Sequence, residues 1–428
     1  MKKLLQLKLK WLAKLILARY KPDIIGITGS AGKTSTKEAI YAVLSGKQRV
    51  RRSLKNYNNE IGVPLTIIGA ESAGRSIFGW LVILFKAVKV IIGEKNYPDI
   101  LILEMGVDRP GDMEYLKSIV RPRIGVITMI GPVHLEFFGT IEKIEKEKGS
   151  LITDLEPNGW AIVNQDDERS RSAAKNITTR LLSFGCEEKA DLRAREIVFS
   201  FEETGAARHL IGTNFKLSHD GSTVPVFLPQ VIGYHAVYAA LAAAAVGTAH
   251  GMNLVEISRS LSSFRSPAGR LNLVPGIKNS TIIDDSYNSS PKPAIAALKV
   301  TSEIPAKSGK RLAILGDMAE LGSHTVDGHR EVGRAVVQFR FDILITVGEK
   351  ARDIGRGAQE AGLSPDKIFN FSSADEAKRF IQSRIGQGDM VLVKGSQSIR
   401  MEKIVKEIMA EPLRASELLV RQDWKDAL

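Results

Sequence analysis

The sequence predicts an α/β protein of two consecutive domains, each built on a mainly parallel sheet. Three observations carry this: two series of short apolar runs alternating with helical patterns, a glycine-rich turn where the first run ends, and a Pro/Gly break between the series. The first series is Ile24–Thr28, Ile100–Glu104, Ile124–Met129 and Trp160–Asn164. The second is Thr281–Asp285, Arg311–Leu315, Ile343–Val347, Lys367–Phe371 and Met390–Lys394. Apolar runs separated by helix-length segments are the pattern of parallel strands joined by crossover helices. Between the series, Asp191 to Pro229 reads as β-rich with turn signals, and an Ala-rich helix follows at Ala236–Val246. The break at Ser266-Pro267-Ala268-Gly269 divides a central domain, 22–267, from a C-terminal one, 268–428.

A length of 428 residues exceeds one ordinary core, and 44% hydrophobic with 25% charged residues is the balance of a soluble globular protein. The single cysteine, Cys186, excludes an internal disulfide framework and a cysteine-based metal site, which fits a reducing cytoplasm. The N-terminus lacks the apolar core and small-residue cleavage site of a signal peptide. Of the net charge of +12, Lys2, Lys3, Lys8, Lys10, Lys14, Arg19 and Lys21 contribute seven, unopposed by any acid. The rest of the chain is only mildly basic, so no nucleic-acid partner is expected. Anionic small substrates or an anionic membrane surface account for the balance.

Two segments stand apart. Residues 1–21 read as a basic amphipathic helix with Leu4, Leu5, Trp11, Leu12, Leu15 and Ile16 on one face, although Lys8 and Leu17 spoil the pattern. An apolar insertion near 72–98 has a core, Ile77 to Ile92, of 16 residues, too short for a bilayer span. Either the two helices bury each other against the first domain, or 2–20 and 77–92 make peripheral contact with the inner face of a membrane.

The first apolar run leads directly into Gly29-Ser30-Ala31-Gly32-Lys33-Thr34-Ser35. A glycine-rich turn between strand and helix lets backbone N–H groups close on phosphate oxygens, and the helix start adds a favourable field. Lys33 would neutralise the β- and γ-phosphates of ATP, and the Thr34 hydroxyl would reach Mg2+. The strict pattern G-x(4)-G-K-[ST] fails because Ile27 occupies its first position. The expected architecture is therefore a P-loop central domain followed by a Rossmann-like C-terminal domain.

Further motifs follow in order: Asn56-Tyr57-Asn58-Asn59-Glu60-Ile61-Gly62-Val63-Pro64, Leu103-Glu104-Met105-Gly106, His134-Leu135-Glu136-Phe137-Phe138-Gly139 and Glu147-Lys148-Gly149. Later come Asp284-Asp285-Ser286-Tyr287-Asn288, Gly316-Asp317-Met318-Ala319-Glu320-Leu321-Gly322 and Val393-Lys394-Gly395-Ser396. With the loop, which departs from the strict pattern in the family's own way, this series resembles the Mur ligase family over about residues 22–410, most closely the branch that adds D-Ala-D-Ala to a UDP-linked muramoyl tripeptide.

The resemblance implies an ATP-dependent acid–amino-acid ligase of peptidoglycan synthesis, working in the cytoplasm through an acyl phosphate. It implies two Mg2+ sites. Thr34 and Glu104 serve the first; His134 and Lys148, the latter carbamylated into a bridging anion, serve the second. Taken alone, Glu104 reads as a solvated loop carboxylate and Lys148 as one more helix-surface lysine in Glu142–Lys148. Arg270 matches an arginine on the ATP phosphates, Asp285 and Asn288 face ribose and base, and Lys394 and Ser396 face the incoming amine.

Two features depart from the family pattern. Only about 22 residues precede the first strand, where a whole domain gripping the uridine nucleotide is expected. Ala236 and Ala239 also stand where the family presents asparagines, one of them to adenine. Two competing readings follow: a ligase of the same type with another acceptor, such as a polyglutamate-forming enzyme, and a non-catalytic nucleotide-dependent binding protein at a membrane.

Overall fold

A computed structural model describes residues 2–53, 57–133, 135–204, 207–304 and 309–421. His134 and Asn56 of the motifs above lie outside the described residues. The chain forms two compact units: Met1–Val198 with Asn214–Leu228 and Tyr234–Arg265, and Phe199–Thr213 with Pro229–Gly233 and Ser266–Leu428.

The first unit opens with α1 (Lys2–Tyr20), β1 (Asp23–Thr28), α2 (Lys33–Leu44), β2 (Val50–Arg52), α3 (Gly62–Ile68), α4 (Ile77–Gly93) and β3 (Ile100–Glu104). Then come α5 (Asp112–Lys117), β4 (Ile124–Ile127), α6 (Leu135–Phe138), α7 (Ile141–Thr153), β5 (Trp160–Asn164), α8 (Glu168–Ala173) and β6 (Arg180–Gly185). Three long strands, β7 (Leu192–Thr204), β8 (Ala207–His219) and β9 (Ser222–Pro229), of which Phe199–Thr213 counts with the second unit, precede α9 (Tyr234–Ala249) and α10 (Leu254–Leu261). The strands form one sheet in the order β2-β3-β1-β4-β5-β6-β7-β8-β9. Pairing is parallel from β2 through β7.

β1 is central because Ile24 to Thr28 are all buried, as a strand covered on both faces by helices requires. Its register fixes the site: Ile27 lies opposite Glu104 on β3, and Thr28 opposite Ile127 on β4. The expected strand Ile124–Met129 ends at Ile127, because Thr128 and Met129 leave the ladder to bond the loop after β1.

α1 and α4 are neighbours in the core that includes β3 and α3. The apolar face of α1 differs from the expected one. Leu9, Leu12, Ala13 and Ile16 are buried, whereas Leu4 and Trp11 are exposed. The small Ala13 lets the 9-12-13-16 stripe pack inward at i, i+3, i+4 spacing. Lys10 is drawn over the Tyr115 ring and donates to Ser118 Oγ.

The second unit contains β10 (Asn272–Pro275), β11 (Thr281–Asp285), α11 (Pro291–Glu303), β12 (Arg311–Gly316), α12 (Thr325–Gln338), β13 (Ile343–Val347) and α13 (Arg352–Glu360). It ends with β14 (Ile368–Phe371), α14 (Ala374–Arg384), β15 (Met390–Lys394), α15 (Glu402–Ile408) and α16 (Ala415–Leu418). The sheet order is β10-β11-β15-β12-β13-β14, parallel apart from the antiparallel β10 edge. This is the expected Rossmann-like layering, with one apolar core on each face of the sheet.

Candidate functional site

The turn after β1 is shaped by its glycines and held from the side. Gly29 has φ 147°, and a Cβ there would lie 2.0 Å from Thr128 Oγ1, so no side chain fits. Gly32, φ 84°, caps α2 in the left-handed region that favours glycine. Thr128 Oγ1 donates to the Ala31 carbonyl at 2.5 Å, and Ser30 N donates to the Met129 carbonyl at 2.8 Å. Ser30 Oγ and the Gly131 backbone exchange two hydrogen bonds of 2.9 Å. The loop is thereby fixed, with the first amides of α2 available to anionic oxygens. Lys33 arches back over it, Nζ donating to the Gly29 carbonyl at 2.6 Å. Ser35 is buried in the first turn of α2.

Beneath the loop lies Glu104. It is 1% exposed, not solvated as its residue type alone suggests. Thr34 Oγ1 donates to its Oε2 at 3.3 Å, and Lys37 Nζ stands 3.0 Å from its Oε1. Lys37 is itself fully buried and donates to the Ser53 carbonyl at 2.8 Å. Sequence reasoning missed Lys37. The available signal was its place three residues after Thr34, which puts both side chains on one face of α2. A hydroxyl and a buried carboxylate are hard oxygen donors of the kind Mg2+ takes. Among the described residues no group of three or more His, Cys, Asp or Glu could hold a metal ion. Mg2+ does not demand one, because it binds through one or two carboxylates together with substrate phosphates.

Lys148 is buried as well. On α7 it follows Ile144 by four residues and shares that helix's inward face with Leu151 and Ile152. Burial, then the charge of Lys33, pulls its amine down to about 7, opposed by Asp108, Glu147 and Asp112. Glu147 accepts from the amides of Gly111 and Met113 at 3.0 and 2.9 Å, fixing this turn of α7 against the start of α5.

In the second unit the register pairs Asp285 with Lys394 at the C-terminal edge of the sheet. Lys394 Nζ meets Asp285 Oδ2 at 2.6 Å and donates to the Asn288 carbonyl at 2.8 Å. The ammonium is 3% exposed and holds the 285–288 turn in shape. Asn288 Oδ1 accepts from Ser289 N at 2.9 Å, and Ser396 Oγ accepts from Ala319 N at 2.8 Å. Arg270 stacks over the Tyr287 ring, its guanidinium carbon 4.4 Å from the centroid. Asp284, unremarked in sequence beyond its motif, is wholly buried. Its carboxyl is pushed up to about 6 by burial while it accepts from Ser286 N at 3.1 Å. Ala236 and Ala239 are buried within α9.

A fixed phosphate loop over a strand-end carboxylate, on a parallel α/β sheet, defines a nucleotide-binding protein of the P-loop class. The Mur ligase middle domain matches residues 27–78 and 87–247, and the Mur ligase glutamate ligase domain matches 269–397. The chain belongs to the Mur ligase family. It is 29% identical over 405 residues, 95% of this chain and 80% of the other, to UDP-N-acetylmuramoyl-tripeptide–D-alanyl-D-alanine ligase of Bacillus subtilis (strain 168). Among solved structures it resembles MurF from Acinetobacter baumannii, with TM-score 0.75 and 28% identity over 94% of this chain and 79% of that one. MurF ligase from Thermotoga maritima in complex with ADP gives TM-score 0.74 and 26% identity over 93% and 82%.

The Lys37–Glu104 pair yields a stability test. Removing one partner of a buried pair strands the other charge, at a cost of about 3–5 kcal/mol. Lys37→Met should lose that much in urea denaturation, and Lys37→Met/Glu104→Gln should recover most of it. A single variant as stable as wild type would show that the two charges are not coupled.

Proposed function

We propose that the chain is an ATP-dependent amide ligase that adds D-alanyl-D-alanine to a UDP-N-acetylmuramoyl tripeptide in peptidoglycan synthesis, in the cytoplasm. The observation that carries this reading is a phosphate loop joined to two buried groups, Glu104 and a Lys148 amine drawn towards neutrality beside Lys33. The alignment along 95% of the chain with a ligase named for that reaction supplies the substrates.

In the reaction a peptide carboxylate oxygen attacks the γ-phosphorus of ATP, ADP leaves, and an acyl phosphate forms. The amine of D-Ala-D-Ala then adds to the acyl carbon, and phosphate departs from the tetrahedral intermediate as the amide forms and the amine loses its proton. Loop amides from Gly29 to Gly32 cradle phosphate, and Lys33 offsets charge at the transferring group. Thr34 and Glu104 would hold one Mg2+; Lys148, as a carbamate, and His134 would hold a second. Bound there, the ions would neutralise phosphate charge. Arg270 is proposed for the ATP phosphates, Asp285 and Asn288 for ribose and base, and Lys394 and Ser396 for the amine substrate. Lys394 is spent on Asp285, so its effect on that substrate would run through the shape of the 285–288 turn. The same reading puts the enzyme in peripheral contact with the inner face of a membrane through 2–20 and 77–92.

Phosphate release with ATP and UDP-muramoyl tripeptide should depend on D-Ala-D-Ala, and Lys33→Ala should lower the rate about 100- to 1,000-fold with the fold intact. Release driven instead by glutamate would mark the polyglutamate-type alternative. ATP binding without turnover on any acceptor would mark the non-catalytic one.

Only the neutral Lys148 amine takes up carbon dioxide, and it is neutral above about pH 7 and protonated below. In buffers depleted of carbon dioxide, the bicarbonate needed for half-maximal activity should therefore rise about tenfold per pH unit below that point. Wild-type activity indifferent to bicarbonate, or a fully active Lys148→Ala enzyme, would remove the carbamate.

A further inference from the structure

α4 is apolar on the side that faces away from its own core. Ile83, Ala87 and Val90 are buried, yet Ile77, Phe78, Leu81, Phe85, Val88 and Ile92 are between 44% and 76% exposed. At helical spacing these six fall within an arc of about 100°. Lys89 borders the arc, Lys86 lies further round towards the core and donates to the Gly69 carbonyl, and α4 carries no acid. α1, its neighbour, repeats the arrangement. Leu4, Leu7 and Trp11 are exposed, with Lys3 and Lys14 to one side and Lys8 and Arg19 to the other, and again there is no acid.

The chemistry of this surface selects its partner. A second copy would bring cations against cations. A specific protein partner needs polar groups to fix its orientation, and the α4 arc has none. A bilayer with anionic headgroups needs no register and complements both the apolar strip and its cationic borders. No helix among the described residues is long and apolar enough to cross a membrane. The 17 residues of α4 reach about 26 Å, short of a hydrocarbon layer of about 30 Å, and its other face is committed to the core. Such a helix lies in the membrane plane.

We infer that the outward faces of α4 and α1 form an in-plane docking surface for an anionic lipid bilayer. This rests on the peripheral-contact reading above and adds which surface binds and which lipid it selects. The full chain should be floated with phosphatidylcholine vesicles, with and without phosphatidylglycerol, at low and high salt. The expected result is co-flotation that requires phosphatidylglycerol and is lost at high salt. Phe78→Ser/Phe85→Ser/Ile92→Ser should bind at least about 100-fold more weakly, with wild-type circular dichroism, urea midpoint and ligase activity on soluble substrate. Lys8→Gln/Lys14→Gln/Lys89→Gln should also bind about 100-fold more weakly, since each cation near an anionic leaflet strengthens binding roughly fivefold. If both variants float like wild type, peripheral contact stands but this surface is wrong. Flotation on phosphatidylcholine alone, unaffected by salt, overturns the lipid selectivity. A wild-type chain that never floats overturns contact and surface together, and a dimer dissolved by the Phe78 triple variant would name a second copy as occupant.

Discussion

A carboxylate with 1% exposure at the end of β3 is the constraint around which the first unit is arranged. An unpaired charge in that position would cost several kcal/mol in desolvation, and Lys37 meets it from α2 at 3.0 Å. The lysine is reached only if α2 begins where it does, four residues ahead at Lys33, directly after the turn ended by Gly32. Thr34 is thereby brought to the same carboxylate. Helix start, loop and strand end are thus one object. Its fixed shape, tied again through Thr128 and Ser30 to the chain beyond β4, is what a phosphate-transfer site needs, because catalysis there consists largely of positioning and charge.

The second unit uses the same device differently. A strand-end carboxylate, Asp285, meets a lysine from the adjacent strand, Lys394, and the ammonium also gathers the Asn288 carbonyl. In both units a buried cation is set against a carboxylate at the sheet edge where α/β proteins take their ligands. Lys148 is the exception. No carboxylate among the described residues bonds it directly, and burial and the Lys33 charge depress its amine, which is what the proposed carbamate requires.

Much of the fold was legible because parallel strands buried on both faces are continuous apolar runs, as Ile24–Thr28 and Met390–Lys394 are. The strands overlooked are the less buried ones: Val50–Arg52 carries two arginines and sits at a sheet edge, Arg180–Gly185 begins exposed, and Asn272–Pro275 is a short edge strand with one buried residue. The turn from Gly29 to Thr34 was legible because its residue types are dictated by backbone geometry. The burial of Lys148 and Lys37 was not, since a charged residue on a helix advertises nothing about which face it occupies. The faces of α1 were misread for a related reason. That helix is apolar on two sides, and periodicity alone cannot tell which one the core takes.

Phosphoryl transfer to a carboxylate moves one carboxylate oxygen onto phosphate, so the fate of that oxygen decides whether this arrangement serves the reaction. With UDP-muramoyl tripeptide labelled with oxygen-18 in its reacting carboxylate, together with ATP and D-Ala-D-Ala, one labelled oxygen should appear in inorganic phosphate for each amide formed. Label recovered in AMP, or phosphate that stays unlabelled while amide accumulates, would show that no acyl phosphate lies on the path.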